Sequence, residues 1–544
     1  MKNTNVLTIS KNNKIESIVC NIFCILSLFA FGYISIISLF QTSVIDPQNY
    51  SGEVILFNWD LIPINFLVLI VFGFVMYKLC SVFNVFAKIK MKYMYIALSV
   101  YVLVVGFLWV TSVTSIPAAD SQSVFDAASK AAVNNYSSLV NGSNFHNHEF
   151  YKDVCYFNYY PFQLGFVLIS EIVLRIFGVS SSMPLQYLNV ICVALSYVAV
   201  AKISKLVFKK RSIEFFTIVF LFLCLQPVLF CTFVYGNIIG MCCAIWASYF
   251  MIKYFQGNNY LFLIPASALL IVATLAKYNN LIYLVAFVIM LLIHMIRSKK
   301  WVNVLIAIGL CIVTIGSSNL VIMSYEARAN TKFYDGISQT MYLNMGLGES
   351  QMAPGWFNYS TMEIYQNNNF DTNLSNQVAQ AELSQKLGKF TSDPGYAVDF
   401  FSKKVSSQWN ETTYESIWVS KVKAHTNEIN GAVESVYNKS LGQFLGIYFD
   451  QYMQILFLLF ALGLGLLLFK NKANIETMLL PLVLLGAFGY HMLFEGKSQY
   501  VLTYIILLIP TASYGLNTIF CDNYSKIKNI FSKLENLNKK QKES

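Results

Sequence analysis

Charge is scarce in this sequence: Asp, Glu, Lys and Arg together make up 12% of 544 residues, where an ordinary soluble domain carries about a quarter. A chain this poor in charge cannot clothe a globule of its size in solvated side chains, which excludes a freely soluble protein. Histidine is rarer still, with 5 in the chain, and the 11 cysteines include no CxxC pair, so no zinc-ribbon or finger spacing exists. Almost all the cysteines fall inside apolar runs, and Cys155 is the single one expected in an external loop, which excludes an extracellular disulfide framework. Also missing are Pro-rich or Gly/Ser-rich linkers, long charge blocks and short-period repeats, so the chain is not a string of soluble modules. The net charge of +10 does not point to nucleic acid, because the Lys and Arg residues sit in short loops and in the C-terminal tail, where they orient helices.

What fills the sequence is hydrocarbon. Hydrophobic residues make up 56% and the mean hydropathy is +0.54. Repeated apolar runs are long enough to cross a bilayer, and about twenty Leu, Ile, Phe and Val residues outweigh an occasional polar one. The expected class is an all-α polytopic membrane protein of about twelve transmembrane helices. The first run, 17–40, is too long for a signal-peptide core and is expected to be a retained anchor. Lys2, Lys11 and Lys14 precede it, whereas the loop after it carries Asp46, Glu53 and Asp60 and no basic residue, so the N-terminus is expected in the cytoplasm. Counting back from the Lys-rich tail after Asn523 places the C-terminus there as well. Between Asp120, expected outside, and Lys209, expected inside, lie two apolar runs where parity allows an odd number of crossings. The shorter, 162–177, carries Glu171 and Arg175 at i,i+4 spacing and suits an interfacial or re-entrant helix.

The expected organisation is therefore 1–115, a cytoplasmic end and three spans; 116–184, a first outer loop with that interfacial helix; 185–323, six spans; 324–444, a large outer loop; 445–517, three spans; and 518–544, a basic cytoplasmic tail.

A displacement at a sugar attached to a lipid phosphate needs a carboxylate to take the acceptor proton and cations to hold the departing phosphate. Asp120, a few residues beyond a span, suits the first role by position, while the AADSQSVFDAA context equally suits an Asp-capped helix start. Asp126, Glu149 and Asp153 are the other acids of that loop, best read as solvated surface. His146 and His148 with Glu149 invite a metal, but i,i+2 spacing does not bring two imidazoles to one helical face. Lys277 and Lys497 stand at external ends of spans, where cations are unusual; the plainer reading is snorkelling to headgroups. Tyr159, Tyr160 and Pro161 orient substrate or mark the aromatic belt of the interface.

Several stretches in order, PAADSQSVFDAA, NYYPFQLGFVLISEIVLRIFG, FVYGN, LAKYNN, MGL with PGWFN, and FEGKSQYVLTYIILLIP, resemble the GT-C class of membrane glycosyltransferases, specifically bacterial relatives of the protein mannosyltransferases of glycosyltransferase family 39. The resemblance spans roughly 115–515. It implies a polyprenyl-phosphate sugar donor used on the outer face with inversion at the anomeric carbon, Asp120 as the catalytic acid of the first loop, and Lys497 with Tyr500 near the donor phosphate. Lys277, Tyr160 and Gln163 join them as substrate-binding candidates. The implied acceptor is a cell-surface polysaccharide or teichoic acid, with the bilayer as the other partner and no nucleic acid. Many relatives follow the catalytic acid with a second one; here Ser121 follows, and two additional spans precede the first large loop. No cofactor is demanded, a divalent metal being the one candidate. Two other functions share these features. A flippase of lipid-linked glycan would place charge at mid-membrane and show two similar halves; a polysaccharide polymerase or ligase would favour Arg-rich outer loops, whereas Arg328 is one of few here.

Overall fold

The computed structural model describes residues 11–81, 89–142, 148–422 and 431–522. His146 of the FHNHEF stretch and the Lys-rich tail lie outside them. Among the described residues the chain is almost wholly helical, because backbone in hydrocarbon must satisfy every N–H and C=O within its own segment. Among the described residues nine helices are long and apolar enough to cross a membrane, from Lys14–Phe40 to Ile475–Leu493, or up to eleven if two bent pairs each count as one span. The remaining expected run, 260–276, forms a shorter apolar helix, Leu263–Ala276, behind a single 3-10 turn.

Both bends have a chemical cause. Arg211–Leu223 meets the following helical segment at 43°, and Ser498–Ile505 meets its successor at 54°; Pro227 and Pro510 each stand in the first turn of the second piece. Proline lacks the N–H that would continue the ladder, so it starts a helix more readily than it extends one. At the first break the freed carbonyl of Cys224 accepts from the Tyr197 hydroxyl.

The Leu164–Phe177 helix has 14 residues, about 21 Å at 1.5 Å per residue and short of a hydrocarbon core of about 30 Å. Its Glu171 gathers Arg175 at 2.8 Å, Arg328 at 3.0 Å and the Tyr325 hydroxyl at 2.5 Å. The i,i+4 pair read from the sequence is thus half of a cluster that ties this helix to Val302–Ala329. That helix runs past residue 323, where the span was expected to end, because Tyr325 and Arg328 continue it to reach Glu171. Ser440–Phe469 likewise starts before 445.

The segments that do not span collect at one end of the bundle. A two-stranded antiparallel hairpin, β1 Gln41–Ile45 and β2 Ile55–Trp59, joins the first two spans. It is sewn to the 330–439 region by hydrogen bonds from Ser43 N to Asn410 O (3.1 Å) and Ile55 N to Met352 O (3.0 Å). Beneath it Phe31 meets Trp409 edge-on at 5.2 Å and Phe460 at 5.0 Å. Trp356, Trp409 and Trp418 are all buried there, so this region is folded. The opposite end is basic: Arg297 bridges Glu16 and Glu476, and Lys210 pairs with Asp522.

Candidate active site

Asp120 is the first residue of the Asp120–Ala132 helix, and its carboxylate does not cap it. The N-cap position belongs to Ala119, with φ 52° and ψ −132° and no side-chain cap bond. Holding an alanine there costs on the order of 1–3 kcal/mol. Ser121 handles the local polar groups instead, its hydroxyl accepting from Ala118 N at 3.1 Å and donating to Ala118 O at 2.7 Å. Released from capping, the Asp120 carboxylate accepts from the hydroxyls of Tyr235 at 3.4 Å and Tyr151 at 3.5 Å.

Tyr235 is the hub of this arrangement. Its phenol oxygen accepts from Gln163 Nε2 at 2.6 Å and lies 3.0 Å from the Tyr156 hydroxyl. Burial first, and the charge of Asp120 second, push this phenol well above its usual range, so it stays a neutral donor. Gly236 follows with φ +82°, where a Cβ would lie 1.9 Å from the Ala276 carbonyl oxygen, so only glycine permits this approach of the FVYGN loop to the end of Leu263–Ala276. Immediately beyond that helix stands Lys277. The Asn280 amide donates to Ala273 O at 2.9 Å and Lys277 O at 3.0 Å, holding the break open, and the Lys277 ammonium lies 3.9 Å above the Tyr235 ring and 5.5 Å from that of Tyr500.

Asp120, Tyr156, Gln163, Tyr235, Lys277 and Tyr500 line one cavity. Asp120, Lys277, Tyr160, Gln163 and Tyr500, all singled out in the sequence, are on its wall; Lys497 is not.

Residues 164–321 match the family model described as dolichyl-phosphate-mannose-protein mannosyltransferase. The resemblance to the GT-C glycosyltransferases holds. The matched stretch, under half of the chain, contains Tyr235 and Lys277 but neither Asp120 nor the 494–500 segment. No curated protein matches the sequence. Among solved structures, the archaeal oligosaccharyltransferase AglB from Archaeoglobus fulgidus, in complex with an inhibitory peptide and a dolichol-phosphate, aligns over 82% of this chain and 52% of its own, at 12% identity and a TM-score of 0.43. This chain thus spans about half the length of that protein. ArnT from Cupriavidus metallidurans, bound to undecaprenyl phosphate, aligns over 79% of each chain at 11% identity and a TM-score of 0.33.

Lys497 departs from the place expected for it beside a donor phosphate. Its ammonium is buried, 2.6 Å from Glu53 Oε2 and 3.6 Å from Glu415 Oε2. Burial alone would lower its pKa, but Glu415 and Glu53 outweigh that and hold the charge above its ordinary strength. The cavity instead receives Glu495 from the same turn. Burial raises that carboxyl to about 7, Lys497 and Lys277 pulling against it and Asp120 adding to it. Behind the turn, Lys404 of the Pro394–Trp409 helix donates to Phe494 O at 2.7 Å and to Gly346 O, while Gly496 N donates to Gly355 O at 2.8 Å. Burial brings the Lys404 ammonium down to about 7, with Glu495 opposing.

The sequence pattern assigned no site role to Glu495, Glu53 or Lys404. Glu495 sits in the FEGKSQY motif already noted, but nothing local says that it, rather than Lys497, faces the cavity; that is decided by Glu53, 444 positions away. Among the described residues no three His, Cys, Asp or Glu side chains assemble as a metal site.

Proposed function

We propose that this protein is an inverting membrane glycosyltransferase that moves a sugar from a polyprenyl-phosphate donor to a hydroxyl of a cell-surface glycan or wall polymer on the outer face. Asp120 takes the proton of the acceptor hydroxyl as its oxygen attacks the anomeric carbon. The bond from that carbon to the phosphate oxygen breaks, and the polyprenyl phosphate leaves beside the Lys277 ammonium. An anionic phosphate needs no general acid to depart, so one base and one cation suffice. The match to a dolichyl-phosphate-mannose transferase family supports the donor class.

The observation that carries the reading is a change of chemistry along one continuous surface. The cavity that holds Asp120, Lys277 and Glu495 shares Tyr278, Asn279, Gln339 and Tyr490 with a neighbouring apolar groove. That groove descends between Leu281–Ser298 and Ile475–Leu493, lined by Ile282, Val285, Ala286, Ile289 and Leu482. A phosphate held at Lys277 with an isoprenoid tail in the groove satisfies both halves. The test is a deletion strain complemented with wild type or Asp120→Asn: the variant is expected in the membrane at normal level with no sugar added to the wall polymer. Undiminished glycosylation in that strain would remove Asp120 from the mechanism.

A further inference from the structure

Glu495 lines the cavity and has no part in the displacement just described. Among the described residues of the cavity wall, the side chains of charged type are Asp120, Glu495 and Lys277. With both carboxyls ionised the wall is net negative before any donor enters, and the phosphodiester of a donor adds a further negative charge. Like charges confined in a water-poor cavity disfavour one another, and a carboxyl is relieved of this by keeping its proton. Asp120 must be ionised to accept a proton. Glu495 is the carboxyl left to stay neutral.

We propose that Glu495 takes part as a neutral carboxylic acid, donating a hydrogen bond to a non-bridging oxygen of the donor phosphate beside the Lys277 ammonium. This rests on the polyprenyl-phosphate reading of the cavity. The Phe494 carbonyl before it is pinned by Lys404, and Gly496 after it is pinned to Gly355, so the carboxyl is presented on a fixed turn. The groups acting on it are Asp120 and Lys277 across the cavity, Tyr342 and Tyr490 from neighbouring helices, Lys404 behind, and Lys497 and Tyr500 from its own segment. His491 Nδ1 lies 3.4 Å from its backbone carbonyl oxygen. The charge of Lys497 is already held by Glu53 and Glu415, and Lys404 is spent on backbone carbonyls. Burial outweighs the lysines and sets the carboxyl to about 7; the acid is neutral below that pH and loses its proton above it.

The experiment uses the full chain in nanodiscs and undecaprenyl phosphoglucose, a phosphodiester that keeps one negative charge across the range, with affinity measured at pH 6 and pH 8.5. Wild type is expected to bind at least roughly tenfold more tightly at pH 6. Glu495→Gln, a neutral donor of the same length, is expected to bind near the wild-type pH 6 level at both values. Wild-type affinity that does not change between the two pH values overturns the proposal, and needs no variant to fold. So does a Glu495→Gln chain with an unchanged melting midpoint that has lost binding at both, which would mean a carboxylate or a cation bound to one is required. A wild-type chain that binds at neither pH, or a Lys277→Met chain that binds as wild type does, would instead remove the donor reading.

Discussion

At the scale of single residues the site depends on Tyr235 as much as on the acid it serves. Its hydroxyl donates to Asp120 while its oxygen receives Gln163, and its ring lies under Lys277. One side chain therefore sets the spacing between the Asp120 carboxylate and the Lys277 ammonium. Tyr235→Phe keeps the ring and deletes the hydroxyl, leaving the buried Gln163 amide without that acceptor. A lost hydrogen bond of this kind is worth about 1–1.5 kcal/mol, so kcat is expected to fall roughly tenfold with the amount of protein in the membrane unchanged. A fall in KM-type affinity alone, with kcat intact, would show that the hydroxyl serves binding rather than the orientation of Asp120.

At the scale of elements, the turn between Ile475–Leu493 and Ser498–Ile505 is held from both sides by chain far away in sequence. The β1–β2 hairpin supplies Glu53, and the 330–439 region supplies Glu415 and Lys404. The first two spans are thereby connected to the site, since the hairpin between them carries a partner of Lys497. Removing one member of a buried charge cluster leaves the others uncompensated, at a cost of about 3–5 kcal/mol. Lys497→Met is expected to lower the thermal midpoint in detergent markedly, and Glu53→Gln in the same chain to restore part of it. A Lys497→Met protein that melts like wild type but no longer transfers sugar would instead return Lys497 to the donor phosphate.

At the scale of the whole molecule, the proposed donor would be recognised in two parts, its phosphate in the cavity and its tail in the apolar groove beside it. Gly486 lies on the groove wall, and a Cβ there would come 3.0 Å from Ile282 Cγ2. Gly486→Leu fills the groove without touching Asp120 or Lys277. Donors with a full polyprenyl chain are expected to show a KM at least several-fold higher, while a short-chain analogue reacts as with wild type. Equal effects on both would mean that the tail lies elsewhere.

Much of this was legible in the chain alone. Hydrophobic runs dictate membrane helices because the bilayer leaves the backbone no other way to satisfy its polar groups. Their basic flanks gave the expected orientation, and the order of the motifs led to Asp120, Lys277, Tyr160, Gln163 and Tyr500, which the fold gathers around one cavity. Local pattern also misled where lengths were marginal. The 260–276 run is apolar enough but yields a short helix, and an Asp at a helix start resembles a cap until Ser121 is seen to handle the local polar groups. Tertiary structure alone decided which member of the FEGKSQY turn faces the cavity. Two oppositely charged side chains two residues apart are equivalent by position; buried charge must find its partner, and the partner of Lys497 came from Glu53, at the other end of the sequence. With the lysine drawn away, Glu495 was left to the site.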